Sequence, residues 1–343
     1  MAVLPNSRLY DSGTLQSWCT AIFEASGMPG KDAAVAASVL VRTSLRGIDT
    51  HGISRAPQYA ESLLDGAINP KPDHGGEYRD GVLHYRGDRG LGQVIGAAAV
   101  HKAIEIAGKV PMVPCLMQQC GHLAALGAYA LIAAEAGMFA FLCQSTTPLM
   151  GLPGWKGRGI GNNPLAFATP LPDSPPLVFD MASSVVARGN LRQAVREGTS
   201  IPEGWAIGPD GEPTTDAETG FAGAVLPVGG YKGMGIAMLV QCLAGSLIGS
   251  SIRLRDPGGS SEMGAFLLVI NPQLAAGGIY AADTREWLDR FMQAAGPEGR
   301  YPGSRAAACE AERRRDGIPV APGSLAQMRA VSERLGVPFN ILV

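Results

Sequence analysis

The sequence predicts a mixed α/β fold, with a helical unit at the N-terminus, a central segment of alternating strands and helices, and a helical tail. Three observations carry this. Residues 12–65 place Ala, Val and Leu at i, i+3, i+4 spacing between Gly- and Pro-rich breaks. Residues 81–270 alternate short apolar runs with helical patterns. Residues 304–335 return to helical periodicity. At 343 residues the chain is long enough for two domains or one with an insertion. The expected division is a helical unit over 1–75, an α/β domain over 76–280, and C-terminal helices over 281–343 that pack back on the first unit.

Hydrophobic residues make up 46% and charged residues 17%, a globular balance rather than a disordered one. A formal net charge of −2 gives no electrostatic reason to expect a nucleic-acid partner. The six cysteines are scattered, with no C-x-x-C and no metal-ligand spacing, so no metal site is expected and a reducing compartment such as the cytoplasm fits. Residues 1–14 lack a basic segment followed by an apolar one, so no export signal is expected. The stretch 122–143 is long enough to cross a bilayer. It holds His122, Glu135 and glycines without flanking Lys or Arg clusters, and so reads as a buried helix (126–136) running into a buried strand (138–143) rather than a membrane span.

Element by element, Asp11 or Ser12 caps a helix to about Ser26, and 27–30 (GMPG) breaks it. A second helix covers 31–45 and a third 56–65, closed by Gly66, with 69–72 (NPKP) as a linker. Residues 81–86 alternate like a strand, 90–107 form a helix, and 113–118 another strand. A Gly/Pro-rich segment at 148–164 precedes short strands at 165–168 and 177–181. Residues 197–219 are dense in Pro, Gly and Asp and read as loop. An apolar helix is predicted at 233–247, a strand at 265–270, and helices at 283–294, 304–317 and 324–335. The Arg313-Arg314-Arg315 run reads as a solvated helix face.

Chemistry concentrates between the second and third helices. Arg46-Gly47-Ile48-Asp49-Thr50-His51-Gly52-Ile53-Ser54-Arg55 sets two arginines, an aspartate and a histidine between two glycines. Histidine exchanges a proton near neutral pH, and arginine grips a carboxylate at two points. That pairing suits chemistry on a small organic acid. No G-x-G-x-x-G lies between a strand and a helix, and there is no P-loop, G-x-S-x-G or H-E-x-x-H. In 227–235 (PVGGYKGMG), glycines free backbone N–H groups, Lys232 adds charge, and a helix start follows, which suits an anion as well as an ordinary glycine loop. Asp180, at a strand end before Met181, Ala182, Ser183 and Ser184, suits a bond to ribose, an amide or an imidazole, and equally a helix N-cap. His122, between a strand and an apolar helix, reads locally as a core histidine.

Six motifs in order carry a resemblance: 46–52 (RGIDTHG), 161–168 (GNNPLAFA), 180–184 (DMASS), 201–206 (IPEGWA), 211–216 (GEPTTD) and 226–233 (LPVGGYKG). Together they resemble the malate/L-lactate dehydrogenase family of NAD(P)-dependent oxidoreductases that lack a Rossmann fold. The resemblance implies a helical domain built from both chain ends, a central, mostly antiparallel sheet domain that binds NAD or NADP, and a homodimer. It implies hydride transfer to or from C2 of a small 2-oxo or 2-hydroxy acid, or reduction of a cyclic imine carboxylate such as Δ1-piperideine-2-carboxylate. By the same resemblance His51 matches the proton donor, Arg55, with Arg46 beside it, the carboxylate clamp, and His122 a proton acceptor of one branch. Ser145, Asp180, Met181, Ala182, Ser183, Lys232, Gly303 and Ser304 fall in cofactor-contact regions, and Asp180 could also orient the catalytic group. His51 and Lys232 are expected to converge on one cleft. Thr50, Cys120, Ala124, Asn163, Asn190 and Ser304 depart from the usual pattern, several of them at the expected pocket. Two other readings remain: a non-catalytic dimeric homologue that serves as a scaffold or binds a small acid, and a metal-dependent hydrolase through Asp49 and His51, for which no third ligand has recognisable spacing.

Overall fold

The computed structural model describes residues 8–250 and 263–339, so of the 1–14 segment only 8–14 is described. The chain opens with β1 (Arg8–Tyr10), α1 (Ser12–Ala25) and α2 (Gly30–Leu45). Two single turns of 3-10 helix, Asp49–His51 and Ile53–Arg55, lead into α3 (Ala56–Leu64). Asp11 caps α1 by accepting the Thr14 N–H at 2.8 Å. Leu15, Trp18, Ile22 and Phe23 bury one face of α1 against Ala37 and Leu40 of α2.

The central segment runs β2 (Gly75–Arg79), β3 (Val82–Arg86), α4 (Gly92–Ala107), β4 (Met112–Gln118), α5 (Gly127–Glu135), β5 (Phe139–Gln144), β6 (Leu165–Leu171) and β7 (Ser174–Met181). Then come α6 (Arg188–Glu197), β8 (Ala206–Ile207), β9 (Pro213–Thr214), α7 (Ala217–Ala222), β10 (Ala224–Val225) and α8 (Tyr231–Val240). The chain ends with β11 (Ala265–Ile270), α9 (Pro272–Ala276), α10 (Ile279–Ala295), α11 (Ser304–Asp316), β12 (Ile318–Val320) and α12 (Pro322–Leu335).

Among the described residues seven strands form the central sheet, in the order β2-β3-β4-β11-β5-β6-β7. Only β3 and β4 pair in parallel; every other neighbour is antiparallel. Alternate residues of β4, β5 and β11, among them Val113, Cys115, Ala140, Leu142 and Leu267, pack against α4 and α5. Cys143 points to the opposite face and meets Val240, Ala244 and Ile248. A three-stranded ribbon, β10-β8-β9, sits with α6 and α7 around Leu191 and Ala206. The N-terminal helices share a core with β12 and α12 through Ile318, Met328 and Val331. Trp18 Nε1 donates to Ser332 Oγ at 2.8 Å, and β1 pairs with β12.

The structure corrects several expectations. The 197–219 segment is not all loop: its Pro and Gly residues turn the ribbon strands β8 and β9, and α7 begins at Ala217. α6 escapes the sequence pattern because only Leu191 and Ala194 are buried along an otherwise polar helix. The 233–247 helix begins at Tyr231 and widens at Gln241–Ser246 into π-helical turns. β1 and β12 are three residues each and find partners only across the length of the chain. Among the described residues no helix is long and apolar enough to cross a membrane.

Candidate active site

Gly47, at φ +80°, ends α2, and the chain folds back through the two 3-10 turns. Ser44 Oγ accepts the Ile53 N–H at 2.9 Å, and a Cβ on Gly52 would lie 2.1 Å from that oxygen, so the return needs glycine. From the other side Arg313 of α11 grips Asp49, with Nη1–Oδ1 at 2.6 Å and Nη2–Oδ2 at 3.0 Å, and also donates to the Ser44 carbonyl. The turn carrying His51 is thereby clamped between α2 and α11.

His122 lies in the loop between β4 and α5. A Cβ on Gly92 would stand 2.2 Å from the His122 carbonyl oxygen, so glycine at the start of α4 lets that loop press inward. The His51 and His122 rings lie 6.2 Å apart, centre to centre. Thr50 Oγ1 lies 2.9 Å from His51 Nδ1, and the Tyr59 hydroxyl 2.8 Å from His122 Nδ1. Burial, with the charge of Arg55 added, pushes His51 down to about 4. Burial also pushes His122 down to about 3, with Arg55 and His51 contributing. Both imidazoles are therefore neutral at neutral pH. Arg55 Nε is buried without a hydrogen-bond partner. A buried guanidinium N–H left in this way favours whatever anion can reach it.

A cleft of about 650 Å³ gathers Arg46, His51, His122, Asp180, Met181, Ala182 and Gly303 between walls of Val and Ala. Asp180, on β7, accepts the Gly127 N–H at 2.7 Å and so caps α5 from a neighbouring strand, not the helix that follows it in sequence. Burial raises its carboxyl to about 6, against the lowering effect of the Gly127 bond. Arg46 lines the cleft but donates to Glu310 at 3.0 Å. Glu310 also receives Arg42 and Arg314, and these cations hold its carboxyl below the ordinary value although burial pushes it up. Arg46 is thus the weaker candidate for a substrate clamp, its charge already being matched.

Other expected residues stand outside the cleft lining. Arg55 is not among the lining residues; its guanidinium lies 5.9 Å from the centre of the Tyr59 ring, near enough for its charge to act on both imidazoles. Ser145 and Ser183 are fully buried, with hydroxyls donating to Ala244 O and Asn163 O, both at 3.0 Å. Ser304 Oγ donates to Tyr301 O at 2.8 Å. Lys232 is exposed at the start of α8 and is not among the residues that line this cleft, as His51 is. In the glycine loop before it, the N–H groups of Val228, Gly230, Lys232 and Gly233 already bond to carbonyls of Ser183, Pro227, Gly229 and Val228. Sequence reasoning missed Tyr59, Gln93, Arg313 and Glu310. For Tyr59 a signal existed, since it stands four residues beyond Arg55 at the head of a predicted helix. Among the described residues no three His, Cys, Asp or Glu side chains converge as metal ligands would.

The chain is 36% identical over 258 residues to a malate dehydrogenase of Pyrococcus horikoshii, covering 72% of this chain and 69% of that protein. It is 32% identical over 302 residues to a Pseudomonas putida Δ1-pyrroline-2-carboxylate/Δ1-piperideine-2-carboxylate reductase, covering 85% and 87%. The solved sulfolactate dehydrogenase of Methanocaldococcus jannaschii superposes with a TM-score of 0.86 at 30% identity, over 96% of this chain and 98% of that one. Residues 10–329 match the malate/L-lactate dehydrogenase profile. A match of that extent, on a central sheet that is antiparallel but for one pair, shows that the chain belongs to the malate/L-lactate dehydrogenase family and is an oxidoreductase.

Proposed function

We propose that this enzyme catalyses hydride transfer between a nicotinamide dinucleotide, NAD or NADP, and C2 of a small 2-oxo or 2-hydroxy acid. The observation that carries the reading is the pair of neutral imidazoles at the cleft, with the charge of Arg55 acting on both and its Nε buried without a partner. The cleft lies in the ~300–1,000 Å³ range of cofactor and small-ligand sites. Its Val and Ala walls suit a nicotinamide ring, and Thr146, Asn162 and Ser184 offer polar edges for a carboxamide or ribose. With one parallel pair in seven strands, the dinucleotide would be held without a Rossmann unit. Bound there, it supplies or takes the hydride, two electrons with one hydrogen.

The chain's own groups do the rest. Arg55 pairs with the substrate carboxylate and fixes the orientation of C2. In the oxidation direction His51, neutral in the free enzyme, accepts the hydroxyl proton as C2 gives up hydride. In reduction the bound carboxylate offsets the Arg55 charge, His51 takes up a proton more readily, and it delivers that proton to the oxygen. A cyclic imine carboxylate is the second reading, supported by the similarity to the Pseudomonas putida reductase. We further place the enzyme in the cytoplasm as a homodimer. The cysteines are all free, and Tyr231, Met238 and Leu239 on the outer face of α8 are exposed apolar side chains that a second copy would cover.

The test is oxidation of NADH and NADPH against a panel of 2-oxoacids and cyclic imines, repeated with two variants. His51→Ala should lower kcat by about 10²–10⁴-fold. Arg55→Ala should raise KM steeply for carboxylate substrates. Near wild-type turnover in both variants would end the assignment.

A further inference from the structure

His122 has two ring nitrogens, and the atoms around it decide which one carries the proton. Its Nδ1 lies 2.8 Å from the hydroxyl of Tyr59, a side chain 4% exposed on α3. The hydroxyl oxygen also faces Gln93 Nε2 at 3.4 Å. That same Gln93 atom lies 3.5 Å from the His122 carbonyl oxygen, which can only accept, so it is the NH2 end of the amide. Tyr59 therefore receives an N–H from Gln93 and must place its own proton elsewhere. Among the described residues the one acceptor in reach is His122 Nδ1, and leaving a buried O–H without a partner is costly. Burial pushes the phenol up, so it keeps that proton at working pH. A neutral imidazole whose Nδ1 accepts carries its hydrogen on Nε2. No hydrogen bond engages Nε2 within the described residues, and His122 lines the cleft.

We infer that Tyr59 is a positioning residue that locks His122 in the Nε2–H tautomer, so that His122 meets the substrate's C2 oxygen as a hydrogen-bond donor and leaves proton exchange to His51. The inference rests on the dehydrogenase reading for its substrate, and it departs from the proton-acceptor role that resemblance implied for His122. It also discriminates among substrates. An N–H donor stabilises the oxygen of a 2-oxoacid as charge grows on it. The same donor opposes a protonated ring nitrogen, so 2-oxoacids are favoured over cyclic imines.

Long-range 15N NMR of protein labelled only at its five histidines reads the tautomer directly, with His122→Asn identifying the signal. The wild-type enzyme should show Nε2 protonated and Nδ1 bare. Tyr59→Phe should give a mixture of tautomers, with kcat on a 2-oxoacid lowered about 10-fold or more and KM little changed. A wild-type Nδ1–H tautomer would overturn the lock, and so would a Tyr59→Phe enzyme with unchanged tautomer and kcat. Should the variant fail to fold, the wild-type spectrum still decides. An Nε2–H spectrum from a protein that turns over none of the acids would sink the proposed reaction while leaving the lock standing.

Discussion

His51 and His122 hold their protons less readily than free histidine because the fold buries them beside Arg55, and this couples stability to pH. Unfolded, each takes up a proton near its ordinary value of 6.5; folded, His51 does so near 4 and His122 near 3. Between those values the unfolded chain binds more protons, so stability falls as pH drops from about 6.5 towards 4. Asp180 works the other way. Its folded carboxyl titrates near 6 against 3.8 unfolded, so the folded chain binds more protons in that window and gains stability as pH falls. Two imidazoles outweigh one carboxyl. The urea midpoint should therefore decline between pH 7 and 4.5, less steeply in His122→Asn and more steeply in Asp180→Asn. Equal slopes in all three proteins would remove this account. At this scale His51 was legible because histidine and arginine stand together in a glycine-bounded stretch. Gln93 was not, and for Tyr59 only the spacing from Arg55 was, since their role depends on where a carbonyl and an imidazole from other segments come to rest.

One scale up, the 3-10 turn of His51 depends on α11. Arg313 is buried and makes both carboxylate bonds to Asp49, so Arg313→Met should free the turn and leave Asp49 without its partner. The expected loss of stability is about 1–3 kcal/mol by urea titration. kcat should fall with it, while cofactor binding, read by NADH fluorescence, stays close to wild type. Equal kcat in the variant would show that the clamp does not matter for the turn. The Arg313-Arg314-Arg315 run reads from sequence as a solvated face, and for Arg315 the structure agrees. Arg313 differs because the helix points it inward, at a carboxylate no local pattern could reveal. The strands at 113–118 and 265–270 were legible for the opposite reason: both faces of a central strand are apolar, and such runs stand out. α6 and the two-residue ribbon strands carry too few buried side chains to mark themselves.

Across the whole molecule, the first and last described elements share one core. α1, α3 and α12 meet around Trp18, Tyr59 and Met328, and the Trp18–Ser332 bond ties them. Trp18→Phe keeps the apolar packing and loses that bond, so thermal unfolding should remain a single transition with stability lower by about 0.5–1.5 kcal/mol. Two separate transitions would show that the terminal helices and the sheet unfold independently. The helical character of both ends was readable from periodicity, whereas their pairing through β1 and β12 was not, because a three-residue strand has no pattern of its own.

The Arg313–Asp49 clamp joins residues 264 positions apart. During synthesis the segment that bears His51 leaves the ribosome long before its anchor has been translated. Until residue 313 has emerged, the turn that bears the imidazole lacks this anchor, so the placement of the proton-exchanging group waits on a segment made 264 residues later.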